Sequence, residues 1–177
     1  MQKIPLVVDL DGTLIHSDLL HESSLALLRL RPWEVLLLPV WILKGKAYLK
    51  KKIAERIKLD ITCLPYNEEF LEFLKKEKDQ GRRLILCTAS HESFAQEIAS
   101  HLGIFDAVIA SNGEHNLAGI NKAQVLVNTF GNRGFDYAGN STADKHVWAV
   151  AKHAFLVSGS QKLLQEVGNQ FHLQEVF

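Results

Sequence analysis

Val7-Val8-Asp9-Leu10-Asp11-Gly12-Thr13-Leu14 is an apolar strand that runs into two aspartates one residue apart and then into a Gly-Thr turn. Alternate side chains of a strand point the same way, and where the chain leaves extended geometry the two acids can converge on one phosphate-sized site. Two like charges that close need a counter-ion. Mg²⁺ favours carboxylates, carbonyls and phosphate oxygens over sulfur or imidazole, so it is the expected partner.

Outward from this loop, strand patterns fall at residues 4–9, 83–88, 106–110, 134–138 and 153–157, with helical patterns of about ten or more residues between most of them. Such alternation predicts a parallel sheet with helices on both faces. Gly81, Gly103 and Gly131 follow helical patterns, where left-handed caps belong. Ligands of such sheets bind beyond the carboxyl ends of the strands. Three more segments end there. Leu84-Ile-Leu-Cys-Thr-Ala-Ser90 closes on hydroxyls and leads into a helix with Phe94, Ile98 and Leu102 at four-residue spacing, where Thr88 and backbone N–H groups suit a phosphate. Lys122 opens the helical stretch 122–130, and its ammonium can neutralise an aspartate and a transferring group. Phe135-Asp-Tyr-Ala-Gly-Asn-Ser-Thr-Ala-Asp144 is a strand, a turn, and an Asn and Asp four residues apart that can complete a metal shell.

These four segments, in this order, resemble the haloacid dehalogenase (HAD) superfamily of aspartate-nucleophile phosphatases and phosphotransferases. More narrowly, Pro5 to Leu20, Leu64-Pro-Tyr-Asn67 and Phe135 to Ser141 are similar to the HAD domain fused to UbiA-like polyprenyl transferases. The resemblance implies an α/β Rossmannoid three-layer sandwich with a five-stranded parallel sheet of order 5-4-1-2-3. It also implies a catalytic core of residues 1–14 and 67–177 and a small helical cap, residues 15–66, inserted after the first strand. In that family the first acid, Asp9, is the nucleophile that forms an aspartyl-phosphate, and Asp11 is the general acid and base. Thr13, Thr88, Ala89 and Lys122 would bind the phosphoryl group. Mg²⁺ would lie on Asp9, the Asp11 main-chain carbonyl, Asn140 and Asp144. Many relatives carry Asp where this chain has Asn140, which predicts weaker metal binding. Asn140 as a turn former and Ser141 as a helix N-cap stay open as alternatives, as do substrate contacts for His16, His21 and His91. Tyr137 reads as a wall of the acidic loop.

Residues 15–66 hold no strand pattern and read as about three helices. Within them Val35-Leu-Leu-Leu-Pro-Val-Trp-Ile-Leu43 is uninterrupted apolar sequence flanked by Arg29, Arg31, Lys44, Lys46, Lys50, Lys51 and Lys52. It is shorter than the ~20 residues that span a bilayer. Two readings stay open for 33–52: an interfacial helix with Trp33 and Trp41 near headgroup depth and the lysines on anionic phosphates, or cap core with a solvated basic face. Leu49, Ile53 and Ile57 form an ordinary apolar stripe.

Composition bounds the rest. A chain of 177 residues, 47% hydrophobic, can build one core and a modest insertion. Twenty basic residues balance twenty acidic ones, which gives no general argument for nucleic acid. Cys63 and Cys87 read as packed, reduced thiols. With no signal-peptide pattern at Met1, the expectation is a cytoplasmic protein, or one at the cytoplasmic face of a membrane. The functional expectation is a Mg²⁺-dependent phosphomonoester hydrolase acting on a phosphorylated small molecule or a polyprenyl-linked sugar phosphate, linked to a prenyltransferase. The alternatives are a catalytically weak phosphate-binding or membrane-docking module, and a phosphotransferase. Gln161 to Phe177 reads as a short helix and a tail.

Overall fold

The computed structural model describes residues 3–112 and 114–177. Its strands, in chain order, are β1 (Leu6–Val8), β2 (Leu84–His91), β3 (Ala107–Ser111), β4 (Asp136–Gly139), β5 (Ala154–Leu156) and β6 (Leu173–Val176). They form one parallel sheet in the order β3-β2-β1-β4-β5-β6, with Val7 of β1 in register with Ile85 and Tyr137. The five expected strands keep the expected relative order, with β1 central.

The sixth strand corrects the five-stranded expectation. It lies at the edge beside β5, joined by hydrogen bonds from Ala154 N to His172 O at 2.8 Å and from Phe177 N to Leu156 O at 2.9 Å. A strand with one neighbour lacks the continuous apolar run of a strand buried on both faces, so Leu173-Gln-Glu-Val176 passes for a tail.

Period-two alternation sends successive side chains to opposite faces. Leu6, Val8, Leu84 and Leu86 face Phe70 and Leu74 of α4 (Glu68–Asp79) and Phe94 and Ile98 of α5 (Glu92–Leu102). Val7, Ile85, Cys87 and Tyr137 face α6 (Ile120–Phe130), α7 (Lys145–Trp148) and α8 (Gln161–Gln170). Gly103 closes α5 in the left-handed conformation, as expected. Gly131 departs from that expectation, with φ 83° and an extended ψ of 160°.

Between β1 and α4 the chain is helical: α1 (Leu19–Leu30), a 3₁₀ turn (Pro32–Leu37), α2 (Leu38–Leu43), α3 (Lys46–Ala54) and a second 3₁₀ turn (Ile61–Cys63). This segment leaves and returns at one neck, where His16 N donates to Pro65 O at 2.8 Å and Asn67 N to Leu14 O at 2.9 Å. It has its own small core of Leu27, Trp41, Leu49, Ile53 and Ile57. The apolar run 35–43 is not one helix. Pro39 lies in the first turn of α2, where a missing N–H costs nothing, so the chain tightens before it and restarts there. Trp41 is turned inward while Trp33 faces outward, so of the two readings open for 33–52 the cap-core one holds for Trp41. Among the described residues no helix is long and apolar enough to cross a membrane.

Candidate active site

The carboxyl ends of β1, β2 and β4 meet the helical segment around a cavity of about 510 Å³. Asp9 enters it from the end of β1, its N–H still bonded to Ala138 O at 2.9 Å. Lys122, in the first turn of α6, donates to Asp9 Oδ1 at 2.7 Å and to the Tyr137 hydroxyl at 3.0 Å. That hydroxyl passes a hydrogen bond on to Asp144 Oδ1 at 2.8 Å. Tyr137, expected only as a wall, is the link that ties lysine and acidic loop together.

Asp11 turns to the other side. Its Oδ1 accepts the Leu19 N–H at 2.7 Å at the start of α1, and its Oδ2 accepts the hydroxyls of Ser90 at 2.7 Å and Thr88 at 3.3 Å. Thr88 Oγ1 also accepts the Ser90 N–H at 2.9 Å. Thr88 therefore holds Asp11 and does not line the cavity, whereas its neighbour Ala89 does. Thr13, expected to bind phosphate, is fully buried outside the cavity, and among the described residues its hydroxyl has no partner. Of the backbone donors near the cavity, Gly12 N is bonded to Ser17 O at 3.1 Å and Ser90 N to Thr88.

Burial is the first cause of the site's electrostatics. It pushes the Asp9 carboxyl up, Asp144 and Asp11 add to the push, and Lys122 opposes it, leaving a value of about 7. Burial raises Asp11 too, against the Leu19 N–H and the Ser90 hydroxyl. Lys122 is pulled down by burial, but Asp9 and its other acidic neighbours outweigh that and hold it above the ordinary lysine range. Four carboxylates, Asp9, Asp11, Asp18 and Asp144, line this cavity against two lysines, Lys122 and Lys50, so its charged groups are mainly oxygen acids and short of positive charge. That is an environment suited to a hard divalent cation.

Which residues could hold one follows from what is free. Among the described residues Asp9 Oδ2 accepts no protein hydrogen bond, and Asn140 lines the cavity beside it. Gly12 permits that approach, because a Cβ there would come within 2.0 Å of Asn140 Nδ2 at a φ of 74°. Asp144 fits less well than expected. Its Oδ2 accepts the Asn140 N–H at 3.1 Å and both the N–H and the hydroxyl of Ser141 at 2.9 Å, and Oδ1 is on Tyr137. It closes a capping box over the turn Thr142–Asp144. Among the described residues no three His, Cys, Asp or Glu converge on one point. Asp9 and Asn140 suit Mg²⁺ as direct ligands, whereas Asp144 supplies charge and loop geometry.

The residue not foreseen as part of the site is Lys50. It was grouped with the headgroup-facing lysines, but α3 turns it inward to line the cavity, with Nζ donating to Ala89 O at 2.6 Å. Burial lowers its pKa, against the pull of Asp11 and Asp18. The signal was available, since Lys50 lies next to the Leu49–Ile53 stripe that fixes the inner face of α3. Of the three histidines, His16 lines the cavity, His21 does not, and His91 caps α5 through Ser93.

A family model described as haloacid dehalogenase-like hydrolase matches residues 6–147. Among curated proteins, the uncharacterised protein y4nM of Sinorhizobium fredii (strain NBRC 101917 / NGR234) is 40% identical over 171 residues, 94% of this chain and 33% of that protein. The chain thus spans about a third of the length of this relative. Among solved structures, a protein of unknown function from Bordetella pertussis Tohama I superposes with a TM-score of 0.75 at 15% identity, covering 100% of this chain and 99% of that one. A HAD family hydrolase from Salmonella enterica subsp. enterica serovar Typhi gives 0.68 at 13% identity, covering 97% and 67%. A phosphoserine phosphatase in a phospho-aspartyl intermediate analogue form gives 0.65 at 15% identity, covering 100% and 94%. At such identities the likeness to these structures concerns the fold.

Proposed function

The chain belongs to the haloacid dehalogenase-like hydrolases, and we propose that it is a Mg²⁺-dependent phosphomonoester hydrolase working through an aspartyl-phosphate on Asp9. The observation that carries this reading is the Lys122 ammonium 2.7 Å from Asp9 Oδ1, at the mouth of β1 in a cavity that also holds Asp11 and Asn140. A hydrogen-bonded lysine orients the carboxylate and keeps it open to the cavity.

In the first half-reaction an Asp9 oxygen forms a bond to phosphorus as the bond to the leaving oxygen breaks, and the protonated Asp11 carboxyl gives its proton to that oxygen. Burial, which raises the Asp11 pKa, favours the protonated acid. In the second half water attacks the phosphorus, Asp11 takes its proton, and the bond to Asp9 breaks to release phosphate. Lys122 neutralises the phosphoryl oxygens and Tyr137 keeps it aimed. Mg²⁺, held by Asp9, Asn140 and the Asp11 main-chain carbonyl, would offset the charge that collects on the transferring group. Thr88 and Ser90 set the rotamer of Asp11.

Residues 15–66 act in this reading as a cap over a core of 1–14 and 67–177. It brings His16, Ser17, Asp18 and Lys50 to the pocket, and the Lys50 ammonium suits a substrate with anionic character near it. The narrower substrate class, a polyprenyl-linked sugar phosphate or a related lipid-pathway phosphate, and the association with a prenyltransferase rest on the sequence resemblance. Release of phosphate from a panel of phosphate esters, with and without Mg²⁺, tests the proposal. A second reading, a phosphate-binding module with little turnover, is favoured by the amide at Asn140 and by the engaged carboxylate of Asp144. Ligand binding without phosphate release across the same panel would establish it over the first.

A further inference from the structure

Eleven large apolar side chains are exposed in the described chain, and nine of them lie between Leu25 and Leu43. The strongest are Leu43 at 87% exposed, Trp33 at 83% and Leu36 at 75%. They do not result from a failed core. α1, the 3₁₀ turn and α2 each bury one side against the same small cluster through Leu27, Val35, Leu38 and Trp41. Elements that share one inner cluster also share an outer surface, and here that surface is apolar. Exposure on this scale, rimmed by charge, marks an interaction face.

The rim identifies what would cover it. Residues 25–58 hold nine Lys or Arg against two acids, in a chain whose totals are equal. Both acids are already engaged, Glu34 by Arg31 and Arg56 and Glu55 by Lys52. Among the described residues Arg29, Lys44, Lys46 and Lys51 have no acidic partner. A second copy of the chain would set this excess of positive charge against itself. The helical pieces are too short to cross a bilayer and suit lying along its surface, with an indole at the interface and basic side chains around it.

We propose that the outer face of residues 25–46 docks on an anionic lipid bilayer, with Trp33, Leu36 and Leu43 entering the headgroup boundary and Arg29, Lys44 and Lys46 on lipid phosphates. This inference is independent of the catalytic reading, because none of these side chains lines the cavity.

Co-sedimentation of the 177-residue chain with phosphatidylcholine vesicles, with and without phosphatidylglycerol, tests it without reference to turnover. The expected result is binding to the phosphatidylglycerol vesicles that weakens with added salt. Affinity should drop roughly 10-fold or more in Trp33→Glu/Leu36→Glu and in Lys44→Glu/Lys46→Glu, while circular dichroism stays unchanged. Three results would overturn it: no sedimentation with either vesicle, equal binding of wild type and both folded variants, or equal binding to neutral and anionic lipid. A fourth is a concentration-dependent dimer, lost in Trp33→Glu/Leu36→Glu, with no vesicle binding. That would assign the face to a second copy.

Discussion

At the amino end of the sheet Arg82 is buried with every charge around it matched, whereas at the carboxyl end Lys122 is buried among more acids than it can neutralise. Arg82 donates to Ile4 O at 3.1 Å, to Glu77 at 2.7 Å and to the Asp136 carboxylate. Asp136 also accepts the His153 N–H at 3.0 Å. Glu77 is disfavoured by burial, but Arg82 and Lys3 hold its carboxyl below the ordinary range. At the other end Asp9 is pushed up to about 7. The same sheet, β1, β2 and β4, carries both arrangements. Buried charge by itself therefore does not mark a site. A shortage of counter-charge beside an open cavity does, because that shortage is what a cation or a substrate can relieve.

One substitution at each end of the sheet should give opposite outcomes. Asp9→Asn should lower phosphate release by about 10³-fold or more, since the nucleophile is lost, with the cooperative unfolding transition retained. Arg82→Met should do the reverse, costing about 3 kcal/mol of unfolding free energy by taking the guanidinium away from the buried Asp136 carboxylate, while kcat in the folded fraction is kept. Denaturant melts and steady-state kinetics on both variants check this. A kinetic defect in the arginine variant comparable to that of the aspartate variant would end the distinction between the two ends.

Lys50 brings a second positive charge to the deficient end from the helical segment. Lys50→Met should raise KM about 10-fold for substrates with anionic character near the cap and change kcat little, the loss of one hydrogen bond to a charged group. A proportionate fall in kcat with KM unchanged would instead make it part of the chemistry.

The smallest effect lies at the matched end and concerns pH. Glu77 is depressed in the folded protein, so its stabilisation is complete above its ordinary value of 4.5 and is lost as pH falls through the lower folded value. Unfolding free energies of wild type and Glu77→Gln should differ near neutrality and converge in acid below that window. A gap that persists at low pH would mean that Glu77 acts through packing.

How much of this was legible in the sequence follows from how each residue is constrained. Five strands announce themselves as apolar runs and could be read, their order being what the family resemblance implies, whereas β6, with Gln174 and Glu175 at its centre, could not. Asp9, Asp11 and Lys122 are identified by their segments and do converge. Thr13 and Thr88 carry the right hydroxyls in the right segments, yet which way each points is decided by packing, and both point away from the cavity. Ser141-Thr-Ala-Asp144 has the spacing of a capping box, and that local use of Asp144 competes with metal ligation. Lys50 sits in a run of three lysines, of which only the helical phase set by Leu49 and Ile53 selects one to face inward.

In the proposed reading the charge deficit at Asp9 is the setting of a nucleophile. Wild-type protein quenched during turnover of a phosphate ester with Mg²⁺, digested with trypsin and analysed by mass spectrometry should carry an acid-trapped phosphoryl group on Ile4–Arg29, the peptide containing Asp9, and Asp9→Asn should carry none. Sustained phosphate release with no label on that peptide, or the same label in the Asp9→Asn protein, would contradict the account.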